Sequence, residues 1–315
     1  MGAIRDPLIG MRADRFALVR AIGAGGMGRV YVAEDDHGER VAVKTVLPEL
    51  AASPAIRERF ALEARASDAI AHPRVVQVLG TGRFDGGEPW LMMDLVDGAD
   101  LWRRVKRDGP LAPRDALAIL AQVCDGLHAA HRAGIVHRDL KPDHVVVDDR
   151  GAATIVDFGV AQVSDPGLPQ IAHGDVVGSA GFMAPEQAGG GPVDRRADVF
   201  ALGAVAYWTI TGAPAFRGET IEEYVAEVAR GRAPRFGAGV PAAWADAITR
   251  AVHRDPRERP ASAIELATAL ADGVARGGAI VKAVAPSLFA DAREVPTDKM
   301  PAQPKRGRRQ TSARS

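Results

Sequence analysis

The fold is decided by one stretch of the sequence, His137-Arg138-Asp139-Leu140-Lys141-Pro142-Asp143-His144. It lies between a helical pattern that ends at Gly134 and a short apolar run at Val145–Val147. Glycine just past a helix end is a common stop signal, and a run of valines is typical of a strand. The stretch is therefore predicted to be a loop that carries charged side chains between a helix and a strand.

The composition is that of an ordinary globular protein. The 315 residues are 47% hydrophobic and 25% charged, and Lys plus Arg equals Asp plus Glu at 40 each. Balanced charge gives no global field that would suggest nucleic acid as a partner. The single cysteine, Cys124, excludes an internal disulfide and a cysteine-based zinc cage. Its apolar neighbours in a helical pattern indicate a packed core thiol.

No segment predicts export or membrane insertion. Arg5 and Asp6 interrupt the first apolar stretch, so the N-terminus lacks the core of a signal peptide. The longest apolar run, Val199–Ile210, is shorter than the roughly 20 residues that span a bilayer, and a buried core helix explains it better. We expect a cytoplasmic protein without a membrane span.

The first ninety or so residues combine short β-type runs with one helix. Pro54 opens a helical pattern that continues through Ile70. Strands are predicted where Val, Ile and aromatic residues cluster, at Phe16–Ile22, Val30–Ala33, Arg40–Val46, Val75–Leu79 and Trp90–Met93.

From Leu101 onward the pattern is mainly helical. Pro113 suits the first turn of the helix that ends at Gly134. Further helices are predicted at Asp198–Thr211, Ile221–Gly231, Ala242–Val252 and Ser262–Ala275. After about Gly277 the apolar periodicity fades, and we expect 277–315 to be a disordered tail rich in Pro and Arg.

Glycines at positions 23, 25 and 28 lie between two strand patterns. Because glycine has no Cβ, such a segment can approach phosphates closely. In isolation the pattern also fits a flexible loop or a dinucleotide-binding fingerprint. A dinucleotide fold needs a helix directly after the glycines, whereas Val30–Ala33 continues as a strand.

Lys44 lies inside an apolar strand rather than on a polar face. A surface lysine is the usual interpretation of a lone Lys, but this setting favours a phosphate ligand. Glu63, on the helix that follows, is a carboxylate that could pair with it.

Together with residues 137–144, these motifs resemble the signature set of the eukaryotic-like (Hanks-type) serine/threonine protein kinase family, bacterial type. Asp157-Phe158-Gly159 and Ala184-Pro185-Glu186 follow in the family's order, and the resemblance covers roughly 16–275. It implies an α+β, bilobal protein kinase fold with a small β-rich N-lobe at about 16–93. A larger, mainly α-helical C-lobe would occupy about 97–275, and residues 1–15 would be an N-terminal extension.

The resemblance implies a role for each matching position. Asp139 matches the catalytic aspartate, which accepts the proton of the attacking hydroxyl. Lys141 resembles the lysine that steadies the γ-phosphate and favours a Ser/Thr kinase over a Tyr kinase. Asp157 matches the aspartate that chelates magnesium. The residues expected at the ATP site are Ile22, Gly23, Gly25, Gly28, Val30, Ala42, Lys44, Glu63, Met93, Asp94 and Val96.

Other matches concern docking and support. Ser179 matches the Ser/Thr whose hydroxyl helps to dock the substrate. Glu186 resembles the glutamate that pairs with a late arginine, here Arg259. Asp198 resembles the buried helix aspartate that braces the catalytic loop. These last three residues are structural in the family.

His144 departs from the family pattern, in which an asparagine holds one metal ion. Imidazole suits zinc, copper or nickel better than magnesium, which prefers oxygen ligands. One interpretation is a tolerated substitution in an active enzyme, in which the metal site at His144 is weakened while Asp157 and the ATP phosphates keep the other metal site. The other is a pseudokinase scaffold that binds nucleotide but transfers slowly or not at all.

The sequence as a whole predicts a protein kinase that transfers the ATP γ-phosphate to Ser or Thr of protein substrates. The resemblance implies ATP with Mg²⁺, and Mn²⁺ as an alternative ion. We expect protein partners, including an upstream regulator protein, and no nucleic acid. A small-molecule phosphotransferase of kinase-like fold is a more distant alternative, because Ser179 and residues 184–186 match a docking surface for a polypeptide.

Overall fold

The chain forms two lobes, which the computed structural model describes over residues 6–25, 28–158 and 180–290. The N-lobe is built on an antiparallel sheet of six strands. These are β1 (Arg12–Ala13), β2 (Phe16–Gly25), β3 (Gly28–Glu34), β4 (Arg40–Val46), β5 (Val78–Arg83) and β6 (Pro89–Asp94). Their order across the sheet is β1-β2-β3-β4-β6-β5, so β4 lies near the centre.

Side chains on β4 alternate between two apolar clusters, as the two-residue period of a strand requires. Val41 and Val43 pack on one face with Tyr31, while Ala42 packs on the other. The short helix α1 (Pro48–Ala51) leads into α2 (Pro54–Asp68). Helix α2 covers the face that holds Ala42, and its buried residues there are Ile56, Phe60 and Ala64. The core of the N-lobe is therefore a sheet with one helix packed on it.

The C-lobe is mainly helical. Its helices are α3 (Leu101–Asp108), α4 (Pro113–Arg132), α5 (Pro185–Ala188), α6 (Arg195–Thr211), α7 (Ile221–Ala229), α8 (Ala242–Ala251), α9 (Ala263–Asp272), α10 (Gly277–Val284) and α11 (Ser287–Ala290). Helices α4 and α6 are buried along most of their length and form the centre of the lobe. Cys124 lies in α4 as a packed core thiol, and burial raises its pKa. The predicted bilobal α+β fold is confirmed.

A small antiparallel sheet positions the loop 137–144 and the segment that contains Asp157. It contains β7 (Ala99–Asp100), β8 (Val145–Val147) and β9 (Ala153–Ile155). The 3-10 helix Pro142–His144 leads directly into β8. Just past β9, the backbone N–H of Val156 donates to the carbonyl of His144 over 3.0 Å. This pairing places the segment 137–144 beside Asp157.

The structure corrects the prediction that 277–315 is a disordered tail. Residues 277–290 form α10 and α11, which pack on α4 and bury Val281, Ala285 and Leu288 in the core of the C-lobe. The prediction was wrong for this segment because two short helices show little periodicity of their own. Their burial depends on an apolar surface of α4 that is distant in sequence. Residues 291–315 lie outside the described residues.

The predicted N-terminal extension packs on the N-lobe from residue 6 onward. Strand β1 adds to the edge of the sheet, and Leu8 and Ala13 join its apolar cluster. The carboxylate of Asp6 accepts a hydrogen bond of 2.9 Å from the hydroxyl of Tyr31. Among the described residues, no helix is long and apolar enough to cross a membrane.

Candidate active site

Asp198 fastens the loop 137–144 to helix α6. Its buried carboxylate accepts hydrogen bonds from the backbone N–H groups of His137 and Arg138, each over 2.8 Å. The Nε2 of His131 lies 2.7 Å from the same carboxylate. Burial raises the pKa of Asp198, but the hydrogen bonds from His131 and from the backbone of Arg138 contribute to holding the pKa below its ordinary value. Asp198 is therefore an ionised anchor of the loop.

Arg138 has a left-handed backbone with φ of 66°, which is costly for any residue other than glycine. Its N–H is held by Asp198, and its carbonyl accepts a hydrogen bond of 2.7 Å from Nε2 of Gln187. Gln187 was not predicted as a site residue. It is the third residue after Ala184, a helix-start position at which Gln commonly caps, and that signal could have marked it.

The side chain of Asp139 lies in the same space as Lys44, Lys141 and Asp157. Its Oδ2 lies 3.8 Å from Nζ of Lys141, and its backbone N–H donates to Nδ1 of His137 over 3.2 Å. Burial raises the pKa of the Asp139 carboxyl and the charge of Asp157 raises it further, while Lys141 acts in the opposite direction. A raised pKa makes this carboxylate a better proton acceptor.

His137 holds the backbone of Asp139 in place. Its ring packs against Phe158 with centroids 4.5 Å apart, and the side chain is fully buried. Burial lowers the pKa of His137 to about 4, so its imidazole is neutral near pH 7 and its Nδ1 accepts the bond from Asp139. The two residues therefore hold each other in one arrangement.

Lys44 and Asp157 form an ion pair across the cleft between the lobes. Nζ of Lys44, on β4, lies 2.7 Å from Oδ1 of Asp157, and about a fifth of each side chain is exposed. The two residues are far apart in sequence and come from different lobes. The pair therefore brings Lys44, the expected phosphate ligand, next to Asp157, the expected metal ligand. Glu63 lies in α2, and its side chain is outside the described residues.

His144 lies between the two carboxylates. Its Nδ1 is 2.8 Å from the backbone carbonyl of Asp139, and its Nε2 is 3.7 Å from Oδ2 of Asp157. Burial lowers the pKa of His144 to about 4, so the ring is neutral near pH 7. Since a carbonyl only accepts, Nδ1 must carry the proton and Nε2 the lone pair. The lone pair is thus on the nitrogen nearest to Asp157.

The predicted glycines form the end of the β2–β3 hairpin, where Gly25 lies opposite Gly28 and Gly23 opposite Val30. A Cβ on Gly28 would lie 2.1 Å from the carbonyl oxygen of Thr45 on β4, so only glycine fits there. A Cβ on Gly25 would meet no atom of the described residues within 4 Å. Sheet packing therefore requires glycine at 28, whereas the described neighbours of Gly25 would not clash with a side chain there.

Apolar side chains from both lobes pack together in one cluster. Ala42 on β4 lies opposite Met93 on β6, and both are buried. Val30, Val96 and Val156 pack against the same cluster. Ile22 is half-buried on β2, and Asp94 at the end of β6 is exposed. An apolar surface that is close in sequence to Lys44 and Asp157 suits a flat base attached to phosphates.

Glu186 and Arg259 form a two-pronged ion pair with N–O distances of 2.7 and 2.8 Å. The guanidinium also donates to the backbone carbonyl of His253 over 2.7 Å and stacks over Phe200. The pair joins the start of α5 to the loop before α9. Ser179 and the rest of 159–179 lie outside the described residues.

The donor set fits nucleotide phosphates with a divalent cation. Carboxylate oxygens of Asp139 and Asp157 are the ligands that a hard cation prefers. Lys44 and Lys141 supply positive charge to the same space. The arrangement can bind polyphosphate, neutralise charge and accept a proton.

Comparisons with known proteins agree with this geometry. The family model described as protein kinase domain matches residues 16–270. The chain is 40% identical over 274 residues to serine/threonine-protein kinase Pkn1 of Myxococcus xanthus, covering 84% of this chain and 39% of that protein. It is 38% identical over 274 residues to serine/threonine-protein kinase PknH of Mycobacterium tuberculosis, covering 85% of this chain and 43% of that protein.

A solved structure is also similar. The PknI kinase domain of Mycobacterium tuberculosis has a TM-score of 0.63 and 27% identity, with 84% of this chain and 99% of that chain covered. The chain spans well under half the length of Pkn1 and PknH, at 39% and 43%. It covers almost all of the solved kinase domain.

Proposed function

The chain belongs to the protein kinase family, and from that premise we propose that it transfers the γ-phosphate of ATP to Ser or Thr of proteins. One observation carries the proposal. Asp139, Asp157, Lys44 and Lys141 converge on one space, with Lys44 on Asp157 at 2.7 Å and Lys141 at 3.8 Å from Asp139. Phosphoryl transfer depends on positioning and charge neutralisation, which is what this set offers.

Each of these residues has a distinct role in the proposal. Asp139 accepts the proton of the substrate hydroxyl and aims its oxygen at the phosphate. Lys141 neutralises charge on the transferred group, and Lys44 holds the other phosphates. Asp157 would hold the divalent ion, which when bound would neutralise the charge that develops on the phosphate oxygens.

ATP would lie with its base against the apolar cluster that contains Ala42 and with its phosphates toward the loop 137–144. Ala42, Met93, Val30 and Val96 would contact the base, as their shared apolar cluster supports. The hairpin with Gly23, Gly25 and Gly28 would cover the phosphates, with Ile22 beside the base. Asp94 would contribute its backbone, and Glu63 would orient Lys44.

The acceptor and the setting rest on sequence resemblance. Lys141 in the segment 137–144 and Ser179 favour a Ser/Thr acceptor on a polypeptide, and the Glu186–Arg259 pair supports the segment that would dock it. We place the kinase domain at 16–275, close to the family match at 16–270. We further propose that the substrates are cytoplasmic proteins and that an upstream regulator protein controls the activity.

The test is incorporation of labelled γ-phosphate into a basic protein substrate, with Mg²⁺ and separately with Mn²⁺. We expect Asp157→Asn to lower incorporation by about 10²-fold or more, because a ligand and the Lys44 partner are lost. Asp36→Asn, the same change at a side chain that is 85% exposed, should leave incorporation unchanged. Wild-type incorporation no greater than that of Asp157→Asn with both ions would instead indicate a nucleotide-binding scaffold.

A further inference from the structure

His144 is held rigidly at the point where an ion would bind. Its side chain is 12% exposed. Its backbone N–H donates to the carbonyl of Lys141 and its carbonyl accepts from Val156, each over 3.0 Å. Because Val156 directly precedes Asp157, the second bond fixes the two side chains next to each other.

The orientation of the imidazole determines what it can bind. Nδ1 donates to the Asp139 carbonyl over 2.8 Å, so the lone pair is on Nε2. Such a bond from the far nitrogen is the usual arrangement of metal-ligating histidines, because it fixes the tautomer and makes the ligating nitrogen more basic. The loop therefore supplies both the ligand atom and the partner that orients it.

The spacing to the neighbouring carboxylate suits two ligands of one ion. Nε2 lies 3.7 Å from Oδ2 of Asp157. Bonds from imidazole nitrogen and carboxylate oxygen to zinc are about 2.0–2.2 Å, so two ligands of one such ion are at most about 4.4 Å apart. The 3.7 Å between the two atoms is within the separation that two ligands of one ion can have.

The chemistry of the pair selects among cations. Mg²⁺ requires near-octahedral oxygen ligands and gives up water reluctantly, whereas imidazole nitrogen binds first-row transition ions more readily. We propose, building on the ATP site above, that His144 is a direct nitrogen ligand that makes this site select a transition-metal divalent ion over Mg²⁺. An asparagine at this position would offer an amide oxygen and would favour Mg²⁺.

The direct test is a magnetic resonance measurement, independent of catalysis. Full-length protein is mixed with Mn²⁺ and a non-hydrolysable ATP analogue, and electron spin-echo modulation reports the nuclei bonded to Mn²⁺. We expect a strong coupling to ¹⁴N of a directly bound imidazole in the wild type. His144→Asn and His144→Gln should lack it, and His37→Asn at an exposed histidine should retain it.

A competition titration measures the selectivity. Mg²⁺ is titrated against Mn²⁺ bound in the nucleotide complex, and the ratio of the two dissociation constants is compared between variants. We expect His144→Asn to shift this ratio toward Mg²⁺ by about tenfold or more, because even residues that only orient a metal ligand change metal affinity by about 10–100-fold. His37→Asn should leave the ratio unchanged.

The outcomes separate this inference from the proposed function. If Mn²⁺ and the analogue bind but the wild type shows no ¹⁴N coupling from a bound imidazole, His144 is not a ligand and the inference fails alone. If the ratio of the two dissociation constants is the same in His144→Asn as in the wild type, the claim that His144 sets the metal selectivity fails. If the analogue does not bind at all with either ion, the proposed function fails together with it. The wild-type spectrum decides the ligand question even where a variant does not fold.

Discussion

Buried and exposed ion pairs in this protein have different consequences for stability. Arg259 has no exposed side-chain surface and holds Glu186 at 2.7 Å, whereas Arg250 and Glu265 are paired at 3.1 Å with about half of each side chain exposed. Removing one member of a buried pair leaves a charge without its partner. A solvated pair loses little when it is broken.

We expect Arg259→Ala to lower the free energy of unfolding by about 3–5 kcal/mol, because it leaves the Glu186 carboxylate and several backbone carbonyls without their donor. The matched change, Arg250→Ala, should cost at most about 1 kcal/mol. Urea unfolding followed by tryptophan fluorescence measures both. Equal losses in the two variants would contradict the structural role of the buried pair.

Single residues could be predicted where a motif fixes both identity and place. Lys44, Asp139 and Asp157 were predicted from spacing and resemblance, and the structure brings them into one cleft. The tautomer of His144 could not be predicted, because it depends on a carbonyl five residues earlier and on burial. The partner of Gln187 could not be predicted either, because the carbonyl of Arg138 lies in another segment.

Secondary-structure elements follow the sequence where their own residues supply the pattern. Strands β4 and β8 have the predicted bounds, and α6 extends the predicted helix by three residues at its start. The strand predicted at Val75–Leu79 begins later, at Val78, and runs to Arg83. Glycines at 80 and 82 obscured its alternation, and Val75 instead bridges to Ile155 of β9.

Helices α10 and α11 are expected to stabilise the C-lobe through their contacts with α4. Leu288 is 3% exposed, and its truncation would leave a cavity against that helix. We therefore expect Leu288→Ala to lower the free energy of unfolding by about 2–3 kcal/mol.

The control for that helix contact is Lys282→Ala, a change at an exposed position of α10. It should alter stability by no more than about 0.5 kcal/mol. The measurement is the urea midpoint of each variant at constant slope. If Leu288→Ala and Lys282→Ala have the same urea midpoint, the packing of 277–290 on α4 does not stabilise the protein in solution.

The whole molecule should lose stability in mild acid because His137 and His144, in the loop 137–144, are buried in the neutral form. Burial lowers the pKa of His137 and of His144 to about 4. The unfolded chain, with histidine pKa near 6.5, binds protons in the window between about 6.5 and 4 that the folded chain does not. The free energy of unfolding therefore falls as the pH drops through this window, on the order of 3 kcal/mol for each histidine.

Urea titrations at intervals between pH 7 and pH 4.5 measure this dependence. His137→Asn, which keeps an acceptor for the backbone of Asp139, should have a shallower slope of stability against pH than the wild type. An unchanged slope would show that His137 does not titrate differently in the folded and unfolded chains.

The central claim is that Asp139 in the loop 137–144 directs γ-phosphate transfer to a Ser or Thr hydroxyl. Its most direct test is mass spectrometric mapping of phosphate on matched peptides that differ only in carrying Ser, Thr or Tyr, with wild type and Asp139→Asn. We predict phosphate on Ser or Thr, at a rate that falls by about 10²–10⁴-fold in Asp139→Asn. Phosphate on Tyr alone, or wild-type transfer no faster than that of Asp139→Asn with Mg²⁺ and with Mn²⁺, would contradict the claim.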